Sequence, residues 1–597
     1  MNIFSLPLTE TLKNFLPIKK YFIRNRWPLF FGLMSLLTVD FLQLLIPLVI
    51  KRAIDLLTAK TATLPILFKQ GLTIVGIALM IALFRYIWRH LILGHSKKVE
   101  EGLRNQLYFH LQTLPLSFFQ RKKTGDLMAR AINDINGIRM AAGMGLVALT
   151  DGAVLGMAAI GFMMSINVKL TLISLIPAPF IVLGTKILTR RMSSGFETVQ
   201  KTFSDLTERV REAFSGVRVI KSYNRENWEY ERVRHVGLRY ISENMRLAKT
   251  LAFFFPMMAI FTNTGLAIVI WIGGRLTIMG NITTGDFVAF TAYLNLLTWP
   301  MMAMGWVTNL IQRGSASMRR INNILDEVPE IQDSPQLQDM ARIRGDIEIK
   351  GLAITYPGQA DPALKNISLK IDAGETVALV GRVGSGKTSL LHAIPRLVEI
   401  PPETLFIDGR DIRQIPLKTL RKNIGFVTQD VFIFSDTVRN NVIFGRSNIS
   451  REKLHAALRA ADILESIQHL EKGLDTVLGE RGITLSGGQR QRLTIARALI
   501  TDPSILIMDD ALSMVDTLTE QRILKQVLQL RENRTSVIVS HRISTISRAK
   551  RILVLDRGEL VEEGTHETLL AKKGIYATLY EKQLVAQELE REPMLTE

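Results

Sequence analysis

The chain has no cysteine among its 597 residues. This absence excludes a disulfide framework, a thiolate zinc site, an iron–sulfur cluster and a cysteine nucleophile. The sequence also lacks low-complexity tracts, and hydrophobic residues make up 47% of it, so intrinsic disorder is excluded. The residues before Pro28 lack the long apolar core and small-residue cleavage site of a secretory signal peptide, so no cleaved leader is expected.

Apolar residues are concentrated in six long segments of the N-terminal half. A helix needs about 20 mostly apolar residues to cross a bilayer, and each segment approaches or exceeds that length. The segments lie at about residues 28–50, 67–93, 144–166, 171–188, 251–273 and 287–311. A soluble all-helical domain is the alternative, but six such segments in succession favour an all-α membrane domain.

The pattern changes after Arg319, where a polar, proline-containing stretch precedes alternating strands and helices of the α/β type. The chain is therefore expected to have five parts. They are an amphipathic interfacial helix at 1–27, a six-span transmembrane domain at 28–320, a linker at 321–345, an α/β domain at 346–580 and a tail at 581–597.

The charge is strongly basic, with 74 Lys and Arg residues against 55 Asp and Glu, a formal net charge of +19. The basic residues cluster before the first span, between spans two and three, and between spans four and five, whereas the other loops carry only Lys169 and Arg275. The positive-inside rule then places both termini and the α/β domain in the cytosol. An anionic inner leaflet explains the charge, so no nucleic-acid partner is expected.

Two features of the membrane half bear on transport. The long basic loops show helical spacing, which predicts spans that continue into the cytosol and turn near residues 117–126 and 222–228. Asp40 and Asp151 are ionisable residues at membrane depth and are candidates for a substrate path. The alternative is that they lie near an interface or face neighbouring helices.

The α/β domain contains a phosphate-binding motif. A buried strand at 375–380 leads into the sequence GRVGSGKTS, which fits G-x-x-x-x-G-K-[ST], and a helix follows. Backbone N–H groups of such a loop close around phosphate oxygens. The predicted ATP-binding residues here are Gly381, Gly384, Ser385, Gly386, Lys387, Thr388 and Ser389.

Two further motifs accompany this loop. An apolar strand at 505–508 ends in Asp509, a Walker B carboxylate that would hold Mg²⁺ together with Thr388. The sequence LSGGQ then places Ser486, Gly487, Gly488 and Gln489 at a helix start, a second anion site. One nucleotide does not need two such anion-binding sites in one domain. The second site is therefore expected to bind the nucleotide of a partner domain.

With these motifs the chain resembles an ATP-binding cassette (ABC) exporter half-transporter along nearly its whole length. In that family, Tyr356 would stack on adenine and Gln429 would touch Mg²⁺ and the attacking water. Asp516 would belong to the D-loop, although the Met-Val before it departs from the usual Ala-Leu, and His541 would contact the γ-phosphate. Residues 479–482 resemble the exporter X-loop.

The resemblance implies a dimer with twelve spans and two composite ATP sites, with ATP and Mg²⁺ as cofactors. The turns near 117–126 and 222–228 would be coupling helices. It also implies a multi-pass protein of the bacterial cytoplasmic (inner) membrane.

One position departs from the family pattern. Glutamate follows the Walker B aspartate in the family and acts as the general base, but here the residue is Asp510. The aspartate side chain is one methylene shorter, so its carboxylate oxygens lie roughly 1–1.5 Å farther from the attacking water than those of a glutamate would. This chain's own site is therefore expected to bind ATP and hydrolyse it slowly. The intact signature would then complete the competent site of a different partner, which predicts a heterodimer with one degenerate site. The alternative is that a small backbone shift brings the Asp510 carboxylate close enough to the attacking water for normal hydrolysis.

The predicted cargo is a drug or lipid, hydrophobic or amphipathic, moved outward. A homodimeric lipid flippase and a peptide exporter remain alternatives, although no protease domain is seen before the spans. A soluble cassette ATPase acting on nucleic acid would lack the spans, and an importer would not carry spans and cassette in one chain. An ATP-gated channel would tolerate a weak base, and current recordings would distinguish it.

Overall fold

The computed structural model describes residues 13–333, 337, 343–479, 482, 485–540 and 542–591. It divides into two compact units. The first comprises residues 1–112 and 124–327, and the second comprises residues 113–123 and 328–597.

The first unit is built from long helices. A short helix, Lys19–Arg24, precedes them, and Val217–Ser222 lies between the fourth and fifth. The long helices are α1 Arg26–Thr58, α2 Leu64–Thr113, α3 Thr124–Ile166, α4 Val168–Ser215, α5 Glu226–Ile268 and α6 Thr284–Leu325. Helix α5 continues through Val269–Gly273 and Gly274–Ile278. The extension of α2 to Thr113 and of α4 to Ser215 confirms that the spans continue beyond their apolar segments.

Over the residues that the structure describes, five of these helices, all except α5, are long and apolar enough to cross a membrane. The predicted span at 251–273 lies in α5 and its continuation, and it stays a prediction. Helix α6 begins with a capping box, in which the Thr283 hydroxyl accepts a hydrogen bond from the Asp286 N–H at 2.9 Å. Asp286 also pairs with Lys51 of α1 at 2.5 Å, which ties the start of α6 to the end of α1.

The second unit contains two sheets. The four-stranded antiparallel sheet has the order β2-β1-β4-β5, and the six-stranded sheet has the order β10-β9-β3-β8-β7-β6. The strands are β1 Ile347–Ile354, β2 Leu364–Ile371, β3 Thr376–Gly381, β4 Leu405–Ile407, β5 Arg410–Asp411, β6 Ile424–Val427, β7 Ile505–Asp509, β8 Thr535–Val539, β9 Arg551–Asp556 and β10 Glu559–Gly564.

Helices pack around the six-stranded sheet. In chain order they are α7 Lys387–Ala393, α8 Leu417–Lys422, α9 Val438–Ile443, α10 Arg451–Ala460, α11 Leu464–Gln468, α12 Gly487–Leu499, α13 Thr517–Leu530, α14 Ile543–Ile546, α15 His566–Ala571 and α16 Ile575–Arg591. A further short helix, Leu116–Arg121, belongs to the same unit. The fold class is as predicted, a helical membrane domain followed by an α/β nucleotide-binding domain; the predicted domain boundaries stay predictions.

The central strands of the six-stranded sheet lie in the hydrophobic core of the second unit. Every residue of β7 and β8 is buried, and so are five of the six residues of β3. Strands buried on both faces read as continuous apolar runs, which is typical of a parallel sheet covered by helices. Ligands of such sheets bind beyond the carboxyl ends of the strands, and the motifs described above follow those ends.

Candidate ATP-binding and hydrolysis site

The register of three parallel strands brings the phosphate motifs together. Leu379 of β3 and Asp509 of β7 both pair with Val539 of β8. The loop that follows Gly381 therefore begins beside the carboxylate that ends β7. Two motifs that are far apart in the sequence meet at one edge of the sheet.

The loop between β3 and α7 has a backbone that requires glycine. Gly384 and Gly386 have φ angles of +79° and +100°, in the left-handed region that disfavours side chains. A Cβ atom at Gly386 would also lie 2.7 Å from the Ala363 carbonyl oxygen. These two glycines let the loop curl tightly enough to surround an anion.

Lys387 lies at the centre of this loop. Its ammonium group donates hydrogen bonds to the carbonyl oxygens of Gly381 at 2.9 Å and Arg382 at 2.8 Å. The side chain is buried, and burial lowers the pKa of Lys387, while the nearby carboxylates of Asp509 and Asp510 act in the opposite direction. The lysine is thus a desolvated cation, which strengthens its attraction for phosphate.

Thr388 and Asp509 form the predicted metal pair. The Thr388 hydroxyl donates to a carboxylate oxygen of Asp509 at 3.0 Å, and Asp509 is buried. Hydroxyl and carboxylate oxygens are the ligands that Mg²⁺ prefers. The pair, with Gln429 on the same cavity, therefore fits a hard divalent cation.

A cavity of about 480 Å³ lies over these residues. Its lining includes the predicted residues Tyr356, Gly384, Ser385, Gly386, Lys387, Thr388, Ser389, Gln429, Asp509 and Asp510. Tyr356 is held at its edge, where its hydroxyl donates to the Ser389 hydroxyl at 3.1 Å. Of the predicted nucleotide-binding residues that the structure describes, Gly381 alone is not in this lining, and it ends β3 beside the cavity.

Asp510 lies on the same cavity with a constrained backbone. Its φ angle is +46°, which costs energy for a residue with a side chain. Its N–H donates to the Val539 carbonyl at 3.1 Å, and its carbonyl accepts from the Ser513 hydroxyl at 3.1 Å. Both peptide groups of Asp510 are therefore fixed.

The signature residues lie at the start of α12, where a capping box forms. The Ser486 hydroxyl accepts from the Gln489 N–H at 3.2 Å, and the Gln489 side chain accepts from the Ser486 N–H at 2.9 Å. This capping box leaves Ser486 exposed. Ser486, Gly487, Gly488 and Gln489 are absent from the lining of the cavity that holds Lys387.

Two residues that the sequence motifs did not identify hold the D-loop segment between these two regions. The amide of the fully buried Gln491 donates to the Ser513 hydroxyl at 3.0 Å and accepts from the Met514 N–H at 2.8 Å. Arg542 donates to the carbonyls of Val515 at 2.6 Å and Ser513 at 3.2 Å. The positions of Gln491 just after LSGGQ and of Arg542 beside the predicted switch histidine were the available signals.

Two more groups hold the D-loop. Arg542 pairs with the carboxylate of Glu520, which is fully buried. Asp516 caps α13, because its carboxylate accepts from the Thr519 N–H at 2.9 Å. That hydrogen bond keeps the pKa of Asp516 below its usual value. The predicted switch residue His541, and residues 480 and 481 of the predicted X-loop, lie outside the described residues.

The fold and this site define an ABC transporter chain in which a transmembrane domain precedes an ATPase domain. The model of the ABC transporter transmembrane region matches residues 29–301, and the ABC transporter model matches residues 364–513. The chain belongs to the ABC transporter family, and it is a multi-pass membrane half-transporter whose ATPase is coupled to export.

Three relatives place it among exporters. It is 35% identical to the probable multidrug resistance ABC transporter ATP-binding/permease protein YheI of Bacillus subtilis, over 92% of this chain and 94% of that protein. It is 37% identical to the ATP-dependent lipid A-core flippase of Syntrophus aciditrophicus, over 82% and 81%. A bacterial Atm1-family ABC exporter with ATP bound superposes with a TM-score of 0.77 at 26% identity, covering 94% of this chain and 98% of that one.

Proposed function

We propose that this chain is the degenerate-site half of a heterodimeric exporter. Asp510 at the general-base position, on a backbone fixed at both peptide groups, is the observation that carries the proposal. In the dimer, each nucleotide is held between the Walker loop of one chain and the signature of the other.

The separation of the signature from this chain's own cavity supports that arrangement. Ser486 is exposed, and none of the signature residues lines the cavity over Lys387. An exposed helix start with a capping serine is a ready anion site. It would contact the γ-phosphate bound by the partner, while the partner's signature would contact the γ-phosphate over Lys387.

Thr388 and Asp509 would hold Mg²⁺, with Gln429 reaching it as the cassettes close. The ion would neutralise charge on the β- and γ-phosphates. Lys387 binds the same oxygens, and Tyr356 offers its ring to the adenine. His541 would contact the γ-phosphate.

Asp510 makes this site slow. Its oxygens lie roughly 1–1.5 Å short of a glutamate's, and a general base must approach within about 2.6–3.2 Å of its proton. The chain nevertheless keeps a complete signature. A homodimer would contain two weak sites, and its intact signatures would have no competent site to complete, which favours a partner with glutamate.

Closure of the cassettes must be transmitted to the membrane helices. The helix Leu116–Arg121 is part of the second compact unit, where the Ser117 hydroxyl donates to Glu330 at 3.4 Å. The second coupling segment, by contrast, ends in exposed aromatic side chains, Tyr223 and Trp228. Tyr223 ends the helix Val217–Ser222 and Trp228 lies in the first turn of α5, and we propose that these exposed side chains contact the partner chain.

The cargo is hydrophobic or amphipathic, and it moves from the cytosol or inner leaflet outward across the bacterial cytoplasmic membrane, with both termini cytosolic. The names of the two curated relatives, a probable multidrug resistance transporter and a lipid A-core flippase, support this class. Flux of a fluorescent drug compared with that of a fluorescent lipid in proteoliposomes distinguishes the two; flux of either by this chain alone would favour the homodimeric alternative.

The heterodimer is tested by ATPase assays of the chain with its partner. Changing the partner's catalytic glutamate to glutamine should abolish turnover, whereas Asp510→Asn should have a milder effect. Asp475→Asn is a matched control, since Asp475 lies in an exposed ion pair with Arg439. Equal loss from the two catalytic substitutions would contradict the asymmetric model.

A further inference from the structure

A cavity of about 560 Å³ opens between the start of α1 and the middle of α2. Asn25 and Pro28 line it from the α1 side, and the rest of its wall comes from residues 89–98 of α2. Here α2 contains a π-helical turn, Arg89–Leu93, a feature that is frequent at functional sites. A Cβ atom at Gly94, directly after this turn, would meet no atom outside its own helix within 4 Å. The space is therefore large enough for a ligand group.

The wall of this cavity is basic. Among the described residues that line it, Arg89, Lys97 and Lys98 are cationic and none is acidic. Lys97 pairs with Glu100 at 3.0 Å. No acidic side chain that the structure describes forms an ion pair with Arg89 or Lys98, and both are exposed. Two cations without a carboxylate partner on one wall attract an anion.

His95 lies on the same wall, and it is only 2% exposed. Its ring packs edge-on against Phe22 of the short helix Lys19–Arg24, with the ring centroids 4.6 Å apart. Neither ring nitrogen has a hydrogen-bond partner among the described residues. A buried polar group without a partner is costly. A ligand with acceptor oxygens would satisfy this histidine, because an imidazole N–H is a hydrogen-bond donor.

The surroundings of the cavity are those of a membrane interface. Trp27, next to the lining residue Pro28, is 61% exposed, and the exposed Tyr86 stacks on the ring of His90. Trp and Tyr side chains are enriched where a bilayer meets water. The cavity wall also contains Leu91 and Leu93, at the end of the apolar segment predicted at 67–93. An apolar wall beside cationic groups fits an amphipathic anion better than a soluble one.

We propose that this cavity binds the phosphate of an anionic phospholipid from the inner leaflet. Arg89 and Lys98 hold the phosphate as cations, His95 adds a hydrogen-bond donor, and the leucines contact the apolar part of the lipid. Basic pockets between membrane helices on the cytoplasmic side bind lipid head groups in this way. The general attraction of an anionic leaflet for basic loops requires neither a cavity nor a buried histidine. The site lies within the first compact unit, so it goes beyond the proposed function and does not depend on the partner chain or the cargo.

The test measures lipid binding to the full detergent-solubilised chain by native mass spectrometry. The probe is dioleoyl phosphatidylglycerol, and dioleoylglycerol is the comparison without a phosphate. The unaltered chain should bind one phosphatidylglycerol at least about tenfold more tightly than it binds dioleoylglycerol. Arg89→Gln and Lys98→Gln should each weaken this binding by about tenfold, because each removes a charge-assisted hydrogen bond to the phosphate.

Gly94→Leu tests the cavity without changing its charge. The backbone at Gly94 is helical, with φ −60° and ψ −42°, so leucine is tolerated there and its side chain would occupy the open space. Binding of the lipid should again weaken by about tenfold. His95→Phe keeps a ring against Phe22 and removes the unpaired nitrogens, so it should weaken binding by about threefold or more without lowering the temperature of unfolding.

Arg24→Gln is the charge-matched control, because Arg24 is an exposed arginine of the short helix and does not line the cavity. It should leave lipid binding unchanged. Thermal unfolding of each variant without lipid reports that the chain is folded. The inference is overturned if the cavity variants bind phosphatidylglycerol as tightly as the unaltered chain, if Arg24→Gln weakens binding as much as Arg89→Gln, or if dioleoylglycerol binds equally well. Displacement of the lipid by an equal concentration of inorganic phosphate would also overturn it, since the site would then serve a soluble anion.

Discussion

Replacing Asp510 by glutamate should accelerate hydrolysis at this chain's own site. The reasoning depends on the backbone, because a shift of roughly 1–1.5 Å would restore the reach that the missing methylene removes. The hydrogen bonds from the Asp510 N–H to Val539 and from the Ser513 hydroxyl to the Asp510 carbonyl oppose such a shift. The deficit in reach therefore persists in the folded protein.

The size of the effect follows from the role of the group. If a glutamate oxygen lay about 2.8 Å from the attacking water, the aspartate oxygen would lie about 4 Å away, beyond hydrogen-bonding range. General-base catalysis contributes about 10²–10⁴-fold. Asp510→Glu should therefore raise the rate by about 10²-fold, which corresponds to a barrier about 2.7 kcal/mol lower.

The assay isolates one site. The chain is purified with a partner whose catalytic glutamate is changed to glutamine, so that the remaining phosphate release comes from the site over Lys387. In this background Asp510→Asn should lower the residual rate only slightly, and Asp475→Glu serves as the control. An unchanged rate for Asp510→Glu would refute the argument from reach, and a large loss from Asp510→Asn would show that Asp510 already acts as a competent base.

Three further predictions follow from neighbouring contacts. Lys387→Met should weaken ATP binding by about tenfold to a hundredfold, because charge-assisted hydrogen bonds contribute about 1.5–3 kcal/mol each; nucleotide titration checks this, and unchanged affinity would contradict it. Because burial lowers the pKa of Lys387 and bound phosphate raises it, ATP binding should take up protons at pH values between the pKa of the empty site and that of the ATP-bound site. Calorimetry in buffers of different ionisation enthalpy measures the uptake, and Lys387→Met should abolish it. Arg542→Ala should cost about 3–5 kcal/mol, since it leaves the buried Glu520 carboxylate unpaired, whereas Arg439→Ala in an exposed pair should cost less than about 1 kcal/mol in thermal unfolding.

Local sequence patterns predicted the residues of the nucleotide pocket because each of its motifs is a contiguous stretch of the chain. The glycines, lysine and threonine of the Walker loop follow one strand directly, and Asp509 ends another, predicted at 505–508 and observed as Ile505–Asp509. Parallel strands place their carboxyl ends at one edge. The strand predicted at 375–380 is observed as Thr376–Gly381, and the helix after the loop begins at Lys387, within the motif itself.

Contacts between segments that are far apart in the chain could not be predicted from local sequence patterns. Gln491 and Arg542 appear as ordinary polar residues until the fold brings Ser513 to both of them. Asp40 and Asp151 were single candidates at membrane depth, and only the packing of α1 against α3 makes them a pair. Periodicity identifies the buried face of a helix, but it does not specify which residue of another helix that face meets.

Ser513 gives a physical reason for retaining a weak ATP site. Its hydroxyl donates to the Asp510 carbonyl at 3.1 Å and accepts from Gln491 of the signature helix at 3.0 Å. In the proposed heterodimer, one side chain thus joins the nucleotide site of this chain to the signature that would complete the partner's site. Occupancy of the slow site can therefore change the geometry, and the rate, of the fast one.

A double-mutant cycle measures this connection. Lys387→Ala empties the slow site and should lower turnover at the partner's site; in the background of Ser513→Ala the same substitution should lower it less. A coupling of about 1 kcal/mol, or roughly fivefold, is the expected difference. The control is Ser165→Ala, because the exposed Ser165 hydroxyl bonds only to its own helix through the Phe162 carbonyl among the described contacts. If Lys387→Ala lowers turnover by the same factor with and without Ser513, the two sites do not communicate through this hydroxyl.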